Sequence, residues 1–308
     1  MRRPFRSLAL HLVLPTRGVA SASAERDGLR DQLGAFQQAQ ARVAAQAFRP
    51  GAVVGLGEGR VATTVAKLAG QGARVIGLPT DVGDLASVEA LRDAAYSHFG
   101  AVHVLCNNAG VGAGAEGKMW EHTLNDWGWG LNVNLWGMIH GVKAFVPAML
   151  AAGEPGHVVN TSSGNGGIAP LPTTAVYATS KAAVTAFTEV LYGQLHSIDA
   201  DIGVSVLYPG PNVLRTGLLE SSKNRPSAWA NDTPRTTPYT TIESFEARMK
   251  AAGVDVNYTP VEFVAELTLE AIRANRFWIL PESERIDGRI NARARSMLDR
   301  SQPTYMES

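Results

Sequence analysis

The chain has 308 residues, of which 45% are hydrophobic, and this is enough apolar material for one large α/β domain or two small ones. Its 28 basic residues balance its 28 acidic residues, so no net charge favours nucleic acid or an anionic membrane surface as a partner. The single cysteine, Cys106, excludes an internal disulfide and is typical of a reducing compartment. It lies in an apolar run and is predicted to be a core residue.

The N-terminus has some features of a targeting peptide. Arg2 and Arg3 precede an apolar stretch at residues 8–14, and small residues follow at 20–24. The apolar stretch is interrupted by His11, and no part of the chain is predicted to reach the ~20 apolar residues that a membrane span needs. We therefore expect a cytoplasmic protein with no membrane partner, and keep export or organelle import as the alternative.

Short apolar runs alternate with helical patterns along the chain, as in a parallel sheet with crossover helices. The runs predict strands at residues 52–54, 74–78, 102–106, 157–161, 203–207 and 277–280. Helical spacing predicts helices at Leu85–Phe99, capped by Asp84 and stopped by Gly100, at about 131–150, and at 260–274 with Thr259 as the N-cap.

The most informative stretch is residues 157–188, where a buried strand is followed by a loop and then a helix. Tyr177 and Lys181 are four residues apart, so both project from one face of that helix. A hydroxyl from Ser162 or Ser163, at the strand end, can meet them there. A free tyrosine has a pKa of about 10, and a neighbouring ammonium is expected to lower it. The trio is suited to moving a proton at a carbinol; the alternative is that Tyr177 is a core residue.

With its flanking motifs, this stretch resembles the short-chain dehydrogenase/reductase family over about residues 60–217. The matching motifs, in the family's order, are Asn107-Asn108-Ala109-Gly110, Asn134 in Val-Asn-Leu-Trp-Gly, Ser163-x-x-Gly166, Tyr177-x-x-x-Lys181 and Pro209-Gly210. The resemblance implies a single-domain α/β fold, with a three-layer, doubly wound, mostly parallel Rossmann-like sheet. It also implies that Tyr177 is the acid/base, Lys181 lowers its pKa and holds the nicotinamide ribose, Ser163 positions the carbonyl, and Asn134 supports a proton relay.

The resemblance further implies NAD or NADP as cofactor, a homodimer or homotetramer, and no metal. The expected cofactor-binding residues are Asp81, Val82, Asn108, Ala109, Gly110, Tyr177, Lys181, Pro209 and Gly210. The choice between the two cofactors depends on the residue that ends the second strand. Glu58 there would favour NAD and Arg60 would favour NADP, so the choice stays open.

The chain departs from the family at its start, because the glycine motif Thr-Gly-x-x-x-Gly-x-Gly that approaches the cofactor pyrophosphate is missing. Gly55, Gly57 and Gly59 come closest, but the spacing of Asp81 to Asn107 places them after the second strand. By elimination the first strand is expected at residues 10–14. Residues 1–50 are a divergent first βα unit, an unrelated extension or an incorrect reading frame, and we favour the third. In that case the chain binds NAD(P)H poorly.

The remaining chain divides into a Rossmann-like domain at residues 51–282, with a substrate lid at about 211–258, and a charged tail at 283–308. The lid is long, polar and rich in proline, and its scattered aromatic residues favour an apolar substrate.

We therefore predict an NAD(P)-dependent oxidoreductase that interconverts a secondary alcohol and a ketone. One alternative is a catalytically impaired nucleotide-sensing or scaffold protein that lacks a phosphate loop. Another is an epimerase or dehydratase, although the chain has little room for the larger substrate domain of such enzymes. Ser163 leads the Ser-x-x-Gly pattern, but it lies fourteen residues before Tyr177, one more than the family commonly shows, so Ser162 stays open as the catalytic serine.

Overall fold

The computed structural model describes residues 8–11, 52–56, 58–70, 72, 74–112, 117–233 and 241–306, with the backbone alone for the residues before Val61. Within these described residues, seven parallel strands form one sheet in the order β3-β2-β1-β4-β5-β6-β7. The strands are β1 Leu8–His11, β2 Ala52–Leu56, β3 Val75–Pro79, β4 Val104–Asn107, β5 Gly156–Thr161, β6 Ile202–Leu207 and β7 Trp278–Ile279. The predicted α/β sheet is confirmed.

Helices connect these strands and cover the sheet on both sides. They are α1 Glu58–Gly70, α2 Leu85–Phe99, α3 Leu124–Leu131, α4 Gly137–Ala152, α5 Ala175–Ser197, α6 Ile242–Ala251, α7 Val261–Arg273 and α8 Glu284–Asp299. The side chains of β4 show how the layers form, because successive residues of a strand point to opposite faces. Val104 and Cys106 pack with α7, whereas Leu105 packs with α2 and α4.

The first strand lies two residues earlier than predicted, at Leu8–His11 rather than 10–14. It pairs with β2 on one side, Leu10 facing Val54, and with β4 on the other, Leu10 facing Cys106. The apolar run at 8–14 does not reveal which part of it pairs, whereas hydrogen bonding to two neighbours does. The strand order reverses at β1 and β4, and ligands of open α/β sheets bind outside the carboxyl ends of the strands at such a point. Residues 12–50 lie outside the described residues.

The local signals of α2 act as predicted. The Asp84 side chain accepts a hydrogen bond from Ala86 N at 3.1 Å, and Gly100 ends the helix with a φ of 78°. The prediction that Thr259 caps α7 is wrong, because Pro260 holds the N-cap position. The Thr259 hydroxyl instead accepts from Asn212 N at 3.0 Å, so the side chain makes a long-range hydrogen bond and does not cap the helix.

The stretch Leu124–Ala152, which comprises α3, α4 and the turn between them, is long and apolar enough to cross a membrane by length and composition. This differs from the sequence prediction that no part of the chain reaches the apolar length of a membrane span. Phe145 and Met149 of α4 are almost completely buried against the sheet, as in the core helix of a globular domain. At its first residue, Gly137, α4 lies close to Val82, since a Cβ there would lie 2.6 Å from a methyl group of that side chain.

Candidate active site

Asn134 lies in a π-helical turn, Asn132–Trp136, between α3 and α4. The widened turn directs its buried amide inward. Nδ2 donates to Val111 O and to Ser180 Oγ, both at 3.0 Å, and Oδ1 accepts from Val111 N at 2.7 Å. These bonds fix the orientation of the amide.

Ser163 stands between β5 and the turn Gly164–Ile168. Its hydroxyl accepts from Asn165 N at 3.2 Å and lies close enough to the phenol of Tyr177 to lower its pKa. Gly166 has a φ of 104°, and a Cβ there would overlap the carbonyl of Ala178 in α5. The glycine of the Ser-x-x-Gly pattern therefore lets the serine turn lie directly against the helix that carries Tyr177.

Ser162 faces a different part of α5. It is almost completely buried, and its Oγ donates to Lys181 O at 2.8 Å and lies 2.9 Å from Thr185 Oγ1. Of the two candidate serines, Ser163 is the one placed at the phenol. Ser162 holds the backbone of the helix instead.

Tyr177 and Lys181 lie on the first two turns of α5, as their spacing predicts. The Lys181 ammonium is 5.9 Å from the centre of the Tyr177 ring and donates to Thr161 O at 2.8 Å. Lys181 is 3% exposed, and burial lowers the pKa of its ammonium to about 8.

The Tyr177 pKa moves in the direction opposite to the one that the sequence predicted. Burial raises the pKa of the phenol, and the nearby Ser163 hydroxyl only partly offsets this. The prediction assumed a nearby full positive charge in a solvated site. In the protein alone, loss of water around the phenolate raises the Tyr177 pKa by more than the neighbouring groups lower it. Burial also lowers the pKa of the Lys181 ammonium, so its positive charge is less favoured.

The two buried polar groups Asn134 and Lys181 face a common gap. A Cβ on Gly110 would lie 3.5 Å from Asn134 Oδ1 and 3.5 Å from Lys181 Nζ. A small pocket adjoins this gap, and its lining residues are Val82, Asn107, Ala109, Asn134, Gly137, Met138, Thr161 and Val184. Thr161 and Met138 were not predicted; Asn107 belongs to the recognised Asn-Asn-Ala-Gly motif.

Apart from Tyr177 and Lys181 on α5, the predicted cofactor-binding residues follow the carboxyl ends of three strands. Asp81 and Val82 come after β3, Asn108 to Gly110 after β4, and Pro209 and Gly210 after β6. The Asn108 Oδ1 accepts from Thr161 Oγ1 at 2.7 Å, which joins the ends of β4 and β5. The buried Lys181 ammonium beside Gly110 is a donor that fits the ribose of the expected cofactor.

The expected pyrophosphate segment, at residues 12–50, lies outside the described residues. Of the glycine cluster at 55–59, Gly55 lies in β2 and Gly59 in α1, so the cluster is at the end of the second strand, as the spacing predicts. Glu58 and Arg60 lie in the first turn of α1, after that strand, where the structure gives the backbone alone. The choice between NAD and NADP therefore stays open at this site.

A polar cluster that the sequence did not predict ties the segment after β6 to α3. Asp126 of α3 is 2% exposed and accepts from Arg225 Nη1 at 2.6 Å and from Asn231 Nδ2 at 3.0 Å. Burial alone would raise the pKa of Asp126, but these hydrogen bonds lower it to about 2. The Arg225 guanidinium also lies 5.3 Å from the centre of a Trp129 ring.

A local signal identifies half of this cluster. Thr123 and Asp126 form a capping box at the start of α3, which a Thr-x-x-Asp pattern suggests. Nothing local links Asp126 to Arg225, 99 residues away. Trp229 packs beside them over Gly128, where a Cβ would collide with the indole.

Sequence and structure comparisons assign the chain and its fold to a family. The model of the short chain dehydrogenases matches residues 37–226, and the chain belongs to that short-chain dehydrogenase/reductase family. The structure is similar to a short-chain dehydrogenase/reductase of Burkholderia phymatum in complex with NAD, with 34% identity, a TM-score of 0.80 and 98% of each chain covered.

Two curated proteins extend the comparison. A CLA biosynthesis dehydrogenase/reductase of Lactiplantibacillus plantarum is 28% identical over 233 residues, or 75% of this chain and 79% of that protein. A 1-deoxy-11-beta-hydroxypentalenate dehydrogenase of Streptomyces exfoliatus is 31% identical over 228 residues, or 74% of this chain and 71% of that protein. The protein is thus an oxidoreductase of this family, as the sequence motifs predicted.

Proposed function

We propose that the protein interconverts a secondary alcohol and a ketone with NAD(H), with Tyr177 as the acid/base. One observation carries the proposal: the Ser163 hydroxyl lies close enough to the Tyr177 phenol to lower its pKa, and the Lys181 ammonium lies one helical turn away. A substrate oxygen bound between the Ser163 and Tyr177 hydroxyls would touch both at once.

The nicotinamide cofactor, when bound, supplies the hydride acceptor or donor for the carbinol carbon. The Ser163 hydroxyl donates a hydrogen bond to the substrate oxygen, and Tyr177 exchanges a proton with that oxygen. Because burial raises the pKa of Tyr177, the phenol is protonated at neutral pH in the protein alone. It is then ready to give its proton to a ketone, so we expect reduction to be favoured at neutral pH and oxidation at higher pH.

Lys181 and Asn134 support this proton exchange from the buried side. In our proposal the ammonium holds the ribose hydroxyls of the cofactor, and the fixed Asn134 amide anchors the relay that carries the proton away. Both groups face the gap beside Gly110, which supports a joint role. The NAD complex of the 34% identical Burkholderia protein supports NAD rather than NADP.

An apolar substrate is supported by the aromatic surroundings of α3. Trp129 packs with Val111 and Val176, and Trp127 and Trp229 lie against the same cluster. Val176 precedes Tyr177, so this cluster adjoins the reacting group. We propose that residues 211–258 form the lid over it, held by the contact of Arg225 with Asp126.

We also propose a homodimer or homotetramer. The outer faces of α4 and α5 expose apolar side chains of Leu150, Val190 and Tyr192, which a second copy would cover. Size-exclusion chromatography with light scattering measures the assembly directly. A monomer at micromolar concentration would contradict it.

The decisive experiment has two stages. NADH and NADPH are first titrated into the purified protein while cofactor fluorescence is followed; a panel of apolar secondary alcohols and ketones is then screened by the absorbance of the reduced cofactor. We expect tighter binding of NADH and turnover of at least one substrate pair. Binding without turnover would favour the nucleotide-sensing alternative, and no binding of either cofactor would support the interpretation that residues 1–50 lack a working phosphate site.

A further inference from the structure

The C-terminal helix α8 contacts two loops of the candidate site although each of its residues is at least partly exposed. Arg293 Nη1 donates to Ile168 O at 2.6 Å and lies 3.5 Å from Gly167 O. Nearer the start of the helix, Arg285 Nη2 donates to Pro211 O at 2.6 Å. Hydrogen bonds from a guanidinium are charge-assisted and about twice as strong as neutral ones.

The carbonyls that Arg293 holds belong to the turn that follows Ser163. Within this turn Gly167 N donates to Ser163 O at 3.0 Å, and Ala169 N donates to Gly164 O at 3.0 Å. One hydrogen bond therefore separates the Gly167 peptide from the backbone of Ser163. A force on that peptide moves the residue that carries the hydroxyl.

The turn lies between two helices. Its inner side rests on α5, where Gly166 meets the backbone of Ala178. On its outer side Ile168 packs in a cluster with Tyr208, against which Ile286 of α8 is placed. Arg293 lies close enough to Tyr208 to oppose the rise in the pKa of that phenol, which burial raises to about 12. The guanidinium thus closes the side of the turn that faces away from Tyr177.

We propose that Arg293 is a positioning residue, which sets the Ser163 hydroxyl against Tyr177 by holding the carbonyls of the Gly164–Ile168 turn. The inference rests on the role proposed for Ser163. Without the guanidinium the turn is free to move outward, and misplacement of a reacting group by about 1 Å costs about a hundredfold in rate. Arg293 itself touches no reacting atom in this proposal.

The hold on the turn is tested first, by a measurement that needs no turnover. Hydrogen exchange of residues 163–170 is compared in Arg293→Met and in Arg295→Met, a matched control because Arg295 is exposed on the same helix. We expect the Gly167 and Ala169 amides to exchange at least about tenfold faster in Arg293→Met alone, with partial recovery in Arg293→Lys. Unchanged exchange in Arg293→Met would overturn the proposal.

The link to Ser163 is tested by a double-mutant cycle in kcat. Arg293→Met should lower kcat by at least about tenfold in the native background, with little change in the KM for the cofactor. The same substitution in a Ser163→Ala background should lower kcat by less than about twofold, because the misplaced hydroxyl is already gone. Equal losses in both backgrounds would show that Arg293 acts on the fold in general, and would overturn the proposal.

The two measurements separate this inference from the proposed function. If the native protein turns over no substrate, the alcohol–ketone proposal fails while the exchange measurement still decides whether Arg293 holds the turn. If the native protein is active and Arg293→Met behaves like Arg295→Met in both measurements, the inference alone fails.

Discussion

The side chains around Tyr177 and the segment at residues 211–233 border the same site but are held in different ways. Around Tyr177, buried groups from β5 and α5 bond to one another within a short distance, as Lys181 does to Thr161 and Ser162 to the helix backbone. The segment at 211–233 reaches α3 through a few groups, chiefly the Arg225 guanidinium on Asp126. The first arrangement is built to stay fixed, whereas the second has few bonds to break and is suited to open and close.

The comparison predicts that changes around Tyr177 remove chemistry and leave the fold intact. Tyr177→Phe deletes the proton donor but keeps the ring. We expect turnover to fall by about 10²–10⁴-fold, with a much smaller loss of NADH affinity and an unchanged melting temperature. Steady-state kinetics, cofactor fluorescence and a thermal melt measure the three quantities. Near-normal turnover would remove Tyr177 from the mechanism.

The two serines sharpen the distinction between chemistry and scaffold within this region. Ser163→Ala should lower kcat by about 10²–10³-fold, the usual loss for one donor to a reacting oxygen, with little effect on stability. Ser162→Ala should instead destabilise the fold by about 1–3 kcal/mol, because it leaves a buried partner in α5 without its hydrogen bond. Kinetics and urea denaturation of the pair test this. An active Ser163→Ala beside an inactive, stable Ser162→Ala would mean that the roles are reversed.

Lys181 tests whether the fixed region sacrifices stability for function. Its pKa falls from 10.5 to about 8 on burial, so the unfolded chain binds more protons than the folded one between these two values. Burial of the charged Lys181 therefore lowers the free energy of unfolding. This loss of stability is fully present below pH 8 and disappears as the pH rises toward 10.5. Lys181→Met should therefore lose activity and bind cofactor weakly, yet be more stable than the native protein at pH 7, by up to about 3 kcal/mol.

Urea denaturation of Lys181→Met and the native protein at several pH values checks this stability difference. The advantage of the variant should shrink as the pH rises from 8 toward 10.5. A constant difference across that range would contradict the buried ammonium. A conservative Lys181→Arg variant, which stays charged, serves as the control.

The lid contact should give the smallest effect on turnover. Arg225→Met removes the partner of Asp126, and we expect the KM for substrate to rise about tenfold while kcat changes little. Asp232→Asn is a control from the same segment, since Asp232 is exposed. A kcat loss as large as that of Tyr177→Phe would show that the contact belongs to the fixed region.

Acid denaturation adds a second measurement to this comparison. The pKa of Asp126 is lowered from 3.8 to about 2, so its contact contributes stability above pH 4 that is lost as the pH falls toward 2. The native protein should lose about 2 kcal/mol from this group over that range. Arg225→Met should lack most of this acid-dependent loss of stability. Parallel acid profiles of the two proteins would contradict the assignment.

Short-range features of the chain were readable from the sequence. The helix Leu85–Phe99 agrees with its prediction at both ends, because Asp84 and Gly100 act on the backbone groups next to them. The placement of Tyr177 and Lys181 on one face follows from the helical repeat alone. Six of the strands lie within two residues of the predicted runs, since burial in a parallel sheet demands a short apolar stretch.

The tertiary structure decided what depends on distant contacts and on the loss of water. The bonds from Arg225 to Asp126 and from Arg293 to Ile168 join residues 99 and 125 positions apart, and no local pattern pairs them. Spacing left Ser162 and Ser163 open, and only the packing of the serine turn on α5 directs one hydroxyl to the phenol and the other to the helix backbone. The direction of the Tyr177 pKa was mistaken for the same reason. A neighbouring charge is visible in the spacing of residues, whereas the burial that outweighs it exists only after the layers have packed together.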